Sequence, residues 1–251
     1  EGQTDIDISS TQTPTREVYF TYTSVPDDIF AITGNTSNAT GLPITTNIQD
    51  DLDNTTNLAQ RIVYTITPHL LQSDDGIGCT GAAITVDIWV EPTPLITGVP
   101  QIDTICNDDR VDIELTSVSV PTREVRFRYD LSIPSGVTVS SGQQTGLAPG
   151  FHITDSIHNS TDTAKLVKFV ITPYTREAGS EAEKCTGIND TVDIWIEPTP
   201  KVQPIPEADT ICSRDTIYIQ LNSPSVPTNE IEFNFDAVAF SPDLINENGG
   251  T

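Results

Sequence analysis

The sequence is poor in basic residues, aromatic residues and cysteine, and it contains no methionine. Only 12 lysines and arginines accompany 36 acidic residues, which gives a formal net charge of −24 at pH 7. Binding to nucleic acid or to an anionic membrane surface needs a basic face, so this composition excludes both partners. The apolar runs are no longer than a strand, and we therefore expect no membrane insertion in this part of the chain.

Sequence patterns that carry catalysis or bind cofactors are also missing. GIGCTG (76–81) matches the glycine string of dinucleotide-binding loops, but it leads into a predicted strand instead of a helix. His69, His152 and His158 have no partners at ligand spacing and are predicted to be surface or turn residues. With no nucleophile elbow, HExxH sequence or P-loop, we expect neither enzymatic activity nor a cofactor.

What the chain does contain is a repeat of about 106 residues. TPTREVYFTYT (13–23) returns as VPTREVRFRYD (120–130) and as VPTNEIEFNFD (226–236), and DIWVEPTP (87–94) returns as DIWIEPTP (193–200). A period of this length is the size of a whole small domain, not of a solenoid unit. We therefore predict three tandem units: 1–94 is a repeat that lacks its start, 95–200 is a complete repeat, and 201–251 is the first half of a third.

Apolar and polar residues alternate within each repeat, which is the pattern of strands with one buried face. One inward-facing set in the second repeat is Val167, Phe169 and Ile171. No segment has the period of an amphipathic helix, so we predict an all-β chain of antiparallel, immunoglobulin-like sandwiches with about seven strands each. The prolines of EPTP before each linker predict short, semi-rigid junctions and an extended rod.

The landmarks TITPH, GCTG, VDIWVEPTP, DTIC and VDIEL occur in this order at domain spacing. They resemble the PKD-like repeats of giant surface proteins of Bacteroidota, such as gliding-motility adhesins exported by the type 9 secretion system, and the resemblance covers nearly the whole chain. It implies an immunoglobulin-like fold and a non-catalytic role as a stalk or filament segment of an extracellular adhesin on a Gram-negative cell. An accessory or carbohydrate-binding module of a secreted polysaccharide-degrading enzyme is the alternative.

The partners expected of such a segment are of three kinds. Neighbouring repeats of the same chain would contact each other, and whole chains would associate laterally. A surface or polysaccharide ligand would be bound through other regions of the protein.

Four cysteines recur with the repeat, and none belongs to a CxxC pair: Cys79, Cys106, Cys185 and Cys212. Bonds from 79 to 106 and from 185 to 212 would join neighbouring repeats, whereas a bond from 106 to 185 would close one repeat. We favour the second arrangement, because Cys106 and Cys185 are predicted to begin strands at one pole of the second repeat. Cys79 and Cys212 would then pair outside these residues, in an oxidising compartment. Free thiols are the alternative.

Two groups of aspartates are candidate calcium ligands, because calcium binds several carboxylate oxygens. The groups are Asp50, Asp51 and Asp53, and Asp108, Asp109 and Asp112. Neither group recurs intact in the next repeat, since His158 aligns with Asp53 and Arg214 with Asp108. We therefore predict solvated loop acids and no metal site, with calcium as the one candidate ion.

Trp89 and Trp195 occupy the polar face of the last predicted strand of their repeats. A large aromatic side chain on that face is either covered by its neighbours and the proline-rich linker, or it marks a contact with another module or subunit. The sequence leaves both interpretations open.

Six triplets of Asp, then Ser or Thr, then an aliphatic residue resemble the O-glycosylation signal of Bacteroidota, in which the middle hydroxyl carries the sugar. Those hydroxyls belong to Thr104, Ser156, Thr163, Thr191, Thr210 and Thr216. Thr104, Ser156, Thr163 and Thr210 are favoured, because their surroundings read as loops or edges near a linker. The alternative is that Asp-Thr-Ile is a strand start that returns with the repeat.

Overall fold

The computed structural model describes residues 2–71, 77–99, 102–177, 179–180, 182–205 and 209–236, and all regular structure in them is β-strand. This confirms the all-β class. The first repeat contains β1 (Gly2–Gln3), β2 (Ile6–Asp7), β3 (Val18–Pro26), β4 (Ile32–Thr33), β5 (Asn38–Pro43), β6 (Asn47–Ile48), β7 (Asp51–Asn54), β8 (Gln60–Leu71), β9 (Ile77–Thr80) and β10 (Ile84–Val90). Among the described residues there is no helix long and apolar enough to cross a bilayer.

The second repeat also has ten strands, the last nine of which match β2–β10 while the first lies ahead of the residues aligned with β1, and two short strands follow it. They are β11 (Ile102–Ile105), β12 (Ile113–Leu115), β13 (Val125–Ser132), β14 (Val137–Val139), β15 (Gln144–Leu147), β16 (Phe151–Ile153), β17 (Ile157–Asn159), β18 (Lys165–Arg176), β19 (Glu183–Thr186), β20 (Asp190–Ile196), β21 (Gln203–Ile205) and β22 (Gln220–Asn222). Strand β21 belongs to the second linker and pairs with β22 of the third repeat.

Each of the first two repeats is a sandwich of one continuous sheet and one divided layer. In the second repeat the continuous sheet has the order β11-β20-β18-β13-β15 with β19 beside β18, and the facing layer consists of the pairs β12–β16 and β14–β17. In the first repeat the order β10-β8-β3-β5 returns, with β9 beside β8. The facing layer is divided into short pairs, and the repeats therefore have ten short strands where the alternation predicts about seven.

One strand pair departs from the predicted antiparallel arrangement. Strand β11 runs parallel to β20, with Ile102 opposite Asp193 and Ile105 opposite Ile196. The other pairs of the continuous sheet are antiparallel. Alternation shows which face of a strand is buried, but it does not show the direction of the neighbouring strand.

The strand β18 defines the two ends of the second repeat. Its last residues, near Arg176, lie at the end that meets the first repeat, which we call the upstream end. Its first residue, Lys165, is opposite Ile196 at the other end, which we call the downstream end. The chain leaves the repeat at the downstream end, after β20.

Each repeat has its own core. Val167, Phe169 and Ile171 are fully buried in the second repeat, as the alternation predicts, and they face residues of the divided layer such as Ile113 and Ile157. The corresponding set in the first repeat is also buried: Ile62, Tyr64 and Ile66. Apolar area removed from water in this way is the main source of stability for such a domain.

The last strands of the two repeats differ in burial. Val192, Ile194 and Ile196 of β20 are at most 2% exposed, whereas the matching residues of β10 are only partly buried. The difference has a direct cause, because β20 is flanked by β11 and, among the described residues, no strand lies on the outer edge of β10.

Candidate functional site: the junctions between repeats

The second repeat contacts the first through the segment that precedes β13. Val120 N–H donates to the carbonyl of Asn57 at 2.7 Å, and Ala59 N–H donates to the carbonyl of Val120 at 3.0 Å. Thr122 N–H donates to Glu91 Oε2 at 2.8 Å, and the Thr122 hydroxyl donates to Glu91 Oε1. Backbone and carboxylate bonds thus fix the position of the second repeat against the loop after β7 and the end of β10.

A buried serine attaches the first linker to the same segment. The Ser119 hydroxyl accepts a hydrogen bond from Leu95 N–H at 3.0 Å and donates to the carbonyl of Thr93 at 3.3 Å. Farther along the linker, Thr97 N–H donates to the carbonyl of Thr116 at 2.9 Å. The linker is therefore bonded to the second repeat at Leu95 and at Thr97.

The second junction repeats these contacts with the third repeat. Val226 N–H donates to the carbonyl of Asp162 at 2.7 Å, and Ala164 N–H donates to the carbonyl of Val226 at 2.9 Å. Thr228 N–H donates to Glu197 Oε2 at 3.0 Å.

The serine contact also returns at the second junction. Ser225 accepts from Lys201 N–H at 3.0 Å and donates to the carbonyl of Thr199 at 3.3 Å. The same hydrogen bonds therefore form at positions one repeat apart, in spite of differing side chains at Asn57 and Asp162.

A glycine allows the two repeats to approach closely. A Cβ placed on Gly187 would lie 1.9 Å from the carbonyl oxygen of Pro94, which belongs to the first repeat. The corresponding Gly81 of the first repeat has no such neighbour, and the atoms nearest to a Cβ there belong to Pro68 of the same repeat. The glycine of the CTG segment is thus a requirement of the junction.

A cleft of about 500 Å³ lies beside the first junction. It is lined from the first repeat by residues 2–5 and by Trp89, and from the second repeat by residues 184–186. The exposed Trp89 ring therefore borders the second repeat, whereas Trp195 is partly covered and its backbone pairs with Thr104 of β11.

The predicted bond between Cys106 and Cys185 is wrong for this structure, in which all four cysteines are free. Cys106 follows β11 at the downstream end of the second repeat. Cys185 N–H donates to Thr175 Oγ1 at the upstream end. Ten strand steps separate Lys165 from Thr175, or about 33 Å. The Cα atoms of a disulfide lie only about 4.4–6.8 Å apart.

The parallel direction of β11 is the reason for this correction. An antiparallel first strand would end at the upstream end, near Cys185. Strand β11 instead runs with β20 and delivers Cys106 to the downstream end, away from Cys185.

The calcium candidates of the first repeat do not form one site. Asp50 is buried and accepts hydrogen bonds from the Tyr64 hydroxyl (2.6 Å), the Thr36 hydroxyl (2.6 Å) and Thr36 N–H (2.9 Å). Asp51 and Asp53 are exposed on β7. The carboxylate of Asp50 is thus held by three protein donors and serves the structure of the repeat.

The second group of aspartates is dispersed as well. Asp108 pairs with His158 Nδ1 at 2.7 Å, and Asp112 pairs with His152 Nδ1 at 2.6 Å, while Asp109 is exposed. The hydrogen bond to Asp112 raises the pKa of His152 above its ordinary value. The part of the chain that the structure describes contains no group of three or more His, Cys, Asp or Glu residues that could hold a metal ion.

A buried aspartate that the sequence did not single out matches Asp50 in the second repeat. Asp155 is 1% exposed and accepts hydrogen bonds from the Tyr129 hydroxyl (3.1 Å), the Ser140 hydroxyl (3.2 Å) and Ser141 N–H (3.0 Å). Burial, and then the neighbouring carboxylate, raises the pKa of Tyr129. The same causes raise the pKa of Tyr64 in the first repeat.

His69, predicted to lie at the surface or in a turn, is buried in β8 instead. It lies between the hydroxyls of Thr21 (2.9 Å) and Thr80 (3.1 Å) and stacks on Tyr19. Two hydroxyl partners and a stacked ring explain how this polar side chain is accommodated. His152 and His158 are exposed, as predicted.

The candidate glycosylation hydroxyls differ in accessibility. Four of them belong to exposed residues: Thr104, Thr163, Thr210 and Thr216. Ser156 and Thr191 are partly buried, and the Ser156 hydroxyl donates to the carbonyl of Asp108 at 3.1 Å. Glycosylation stays a prediction, and the exposed threonines are its accessible targets.

Comparison with known protein families identifies the family of the repeats. Residues 4–94 and 103–200 each match the sequence model of the PKD-like domain. No curated protein matches the chain.

Proposed function

Since the chain belongs to the PKD-like domain family, we propose that it is a non-catalytic spacer: a stalk segment of a large adhesin on the surface of a Gram-negative bacterium. PKD-like domains are generally immunoglobulin-like modules without catalytic activity, which supports a structural role. The spacer would hold a distal binding region away from the cell.

The recurrence of the junction is the observation that carries this proposal. Glu91 with Thr122 and Glu197 with Thr228 form the same contact one repeat apart. Domains that are joined only by a flexible linker are not expected to form the same contacts at successive junctions. Repeated contacts give each repeat the same position relative to the one before, and an array built in this way grows in one direction.

The surface composition agrees with an extracellular spacer. The acidic excess keeps neighbouring chains soluble, and laterally associated chains would have to screen this charge. We further propose that the exposed threonines of the Asp-Thr-Ile triplets carry glycans, which would protect the array from proteases.

One observation favours carbohydrate binding as a second candidate function. Trp89 is 55% exposed beside the cleft, whose lining includes the polar residues Asp53 and Asn54, and an accessible aromatic ring with polar neighbours suits stacking of a sugar. Trp195 is more covered, so the feature does not recur with the repeat. Titration with polysaccharides, monitored by tryptophan fluorescence in the native chain and in Trp89→Ala, would detect such binding.

Small-angle X-ray scattering tests the spacer. A globule of 251 residues has a radius of gyration of about 18 Å. Two repeats, each about 40 Å long from its 12-residue strand, placed end to end give about 25 Å or more. A value near 18 Å would contradict the spacer.

The complete sequence of the protein then separates the two functions. Dozens of copies of the repeat are expected for a stalk. Two or three copies beside a catalytic domain would instead indicate an accessory module of an enzyme.

A further inference from the structure

Cys185 lies beside the first junction and Cys106 beside the second, on opposite sides, and we propose that cysteines at these two positions form a disulfide across each junction. In each junction the bond would join the cysteine that follows the first strand of one repeat to the CTG cysteine of the next repeat. Cys106 represents the first position and Cys185 the second. The inference depends on the geometry of the junction and not on the role of the whole array.

Cys185 lies at the first junction, on the side that belongs to the second repeat. Two residues after it, Gly187 contacts the carbonyl of Pro94. Cys185 itself lines the cleft whose opposite wall includes Gly2 and Thr4 of the first repeat. Cys185 therefore borders the neighbouring repeat and is not part of the core of its own.

Cys106 lies at the second junction, on the side that belongs to the second repeat. The residue before it, Ile105, accepts a hydrogen bond from Glu197 N–H at 2.9 Å. The residue after it, Asn107, donates to Thr199 Oγ1 at 2.9 Å. Glu197 and Thr199 are the residues that contact the third repeat, so Cys106 is exposed beside that contact.

Because the two junctions use the same contacts, one can be superimposed on the other. Gly2 of the first repeat aligns with Asp109 of the second, three residues after Cys106. Asp109 N–H donates to the carbonyl of Cys106 at 3.2 Å, a tight turn that keeps the two residues close. A cysteine of the Cys106 type therefore belongs next to Gly2, across the cleft from Cys185.

The reaction is a two-electron oxidation. A thiolate of one cysteine attacks the disulfide of an oxidant and forms a mixed disulfide. The second cysteine thiolate then attacks this mixed disulfide and displaces the remaining thiolate of the oxidant. The new sulfur–sulfur bond replaces two thiols, and the oxidant leaves as two thiols that carry the protons. A small-molecule disulfide or a disulfide oxidoreductase supplies this oxidant.

The chain as it stands provides the first test. After oxidation of the dilute monomer with oxidised glutathione, non-reducing peptide mapping should recover no bond between Cys106 and Cys185. Each of them lacks its facing cysteine within these 251 residues. A bond between them would overturn the proposal, because they would then lie at one end of the repeat.

The second test supplies the missing cysteine. The segment Gln-Ile-Asp-Thr-Ile-Cys-Asn, copied from residues 101–107, is placed before Glu1 in the background Cys79→Ser, Cys106→Ser, Cys212→Ser. Oxidised glutathione should then link the added cysteine to Cys185, with loss of both thiols and of two hydrogen masses. The matched control has serine in the added segment and should keep the Cys185 thiol or carry a glutathione on it.

A third variant guards against misplacement of the added segment. Gly2→Cys in the same serine background adds no residues, and a Cβ at Gly2 meets no atom within 4 Å, so the fold should be retained. It should also link to Cys185, and Ser9→Cys, an exposed residue outside the cleft lining, should not. If neither the added cysteine nor Gly2→Cys bonds to Cys185 in folded protein, the proposal fails.

Discussion

At the scale of single residues, the two repeats satisfy the same buried carboxylate with tyrosines from different strands. Asp50 is bonded by Tyr64 of β8, and Asp155 by Tyr129 of β13. The position of Tyr64 is occupied in the second repeat by Phe169, which contacts Tyr129 ring to ring at 5.9 Å. The hydroxyl can therefore come from either of two adjacent strands, provided that it reaches the buried aspartate.

A tyrosine exchange tests this view. Tyr129→Phe leaves the buried Asp155 without one donor, and we expect the second repeat to lose about 1–3 kcal/mol of unfolding free energy. Adding Phe169→Tyr should restore most of the loss, because the position matches Tyr64. Urea unfolding monitored by Trp195 measures the second repeat, and Trp89 reports the first as a control. No recovery in the double variant would contradict the exchange.

The raised pKa of Tyr129 predicts a dependence on alkaline pH. The folded state keeps a proton that the unfolded chain releases near pH 10. The stabilisation is therefore complete below about pH 10 and declines above it, with a limiting slope of about 1.4 kcal/mol per pH unit for one tyrosine. Tyr129→Phe should show a shallower decline than the native chain, with exposed Tyr218→Phe as control; equal slopes would contradict the prediction.

The residue scale also shows where sequence reasoning ends. Asp50 looked like a calcium ligand because Asp51 and Asp53 follow it, but Asp50 lies just before β7 and is buried, whereas Asp51 and Asp53 are on the exposed face of that strand. Its donors, Thr36 and Tyr64, are each 14 positions away in the chain. Such partners depend on the folded arrangement, and a local cluster of acids contains no information about them.

At the scale of the strands, the sequence correctly predicted which face of each strand is buried, but it predicted the neighbouring strands only incompletely. The inward set around Phe169 is buried because alternation reports the two sides of a strand. Alternation contains no information about the direction of β11, and the sequence therefore placed Cys106 at the wrong end of the repeat. The junction contact of Val120 was equally invisible, since its partners in the loop after β7 belong to another repeat.

The CTG segment gives a prediction at this scale. Gly187→Ala places a methyl group against the carbonyl of Pro94 and should loosen the first junction. Gly81→Ala is the matched control, because it meets a proline ring as Gly187→Ala does but has no residue of another repeat nearby. We expect Gly187→Ala alone to alter the radius of gyration in solution scattering, with both repeats folded. Similar scattering from both variants would contradict a specific role for Gly187.

At the scale of the whole molecule, repetition of the junction determines the arrangement of the array. When each repeat is related to the next by the same contacts, one rotation and one translation describe the series. The bonds of Glu91 and Glu197 to the following threonine recur, while Lys201 adds an ion pair with Asp162 at 2.5 Å in the second junction. Shared backbone contacts thus set the geometry, and variable side chains adjust the strength of each junction.

The parallel pairing of β11 with β20 has a further consequence when the ends of the chain are pulled apart. The chain enters the second repeat at the start of β11 and leaves it at the end of β20, so tension slides these strands along each other. Their hydrogen bonds are then loaded together in shear and must break at once. An antiparallel pair would have opened one bond at a time.

Single-molecule force spectroscopy can measure this resistance. Unfolding of 102–196 should lengthen the tether by roughly 30 nm in one event. The first repeat has no strand beside β10 among its described residues, and it should yield at lower force within the same molecule. Equal forces for the two repeats would mean that the parallel pair bears no load. A higher unfolding force for the second repeat would show that β11 is the strand that resists shear.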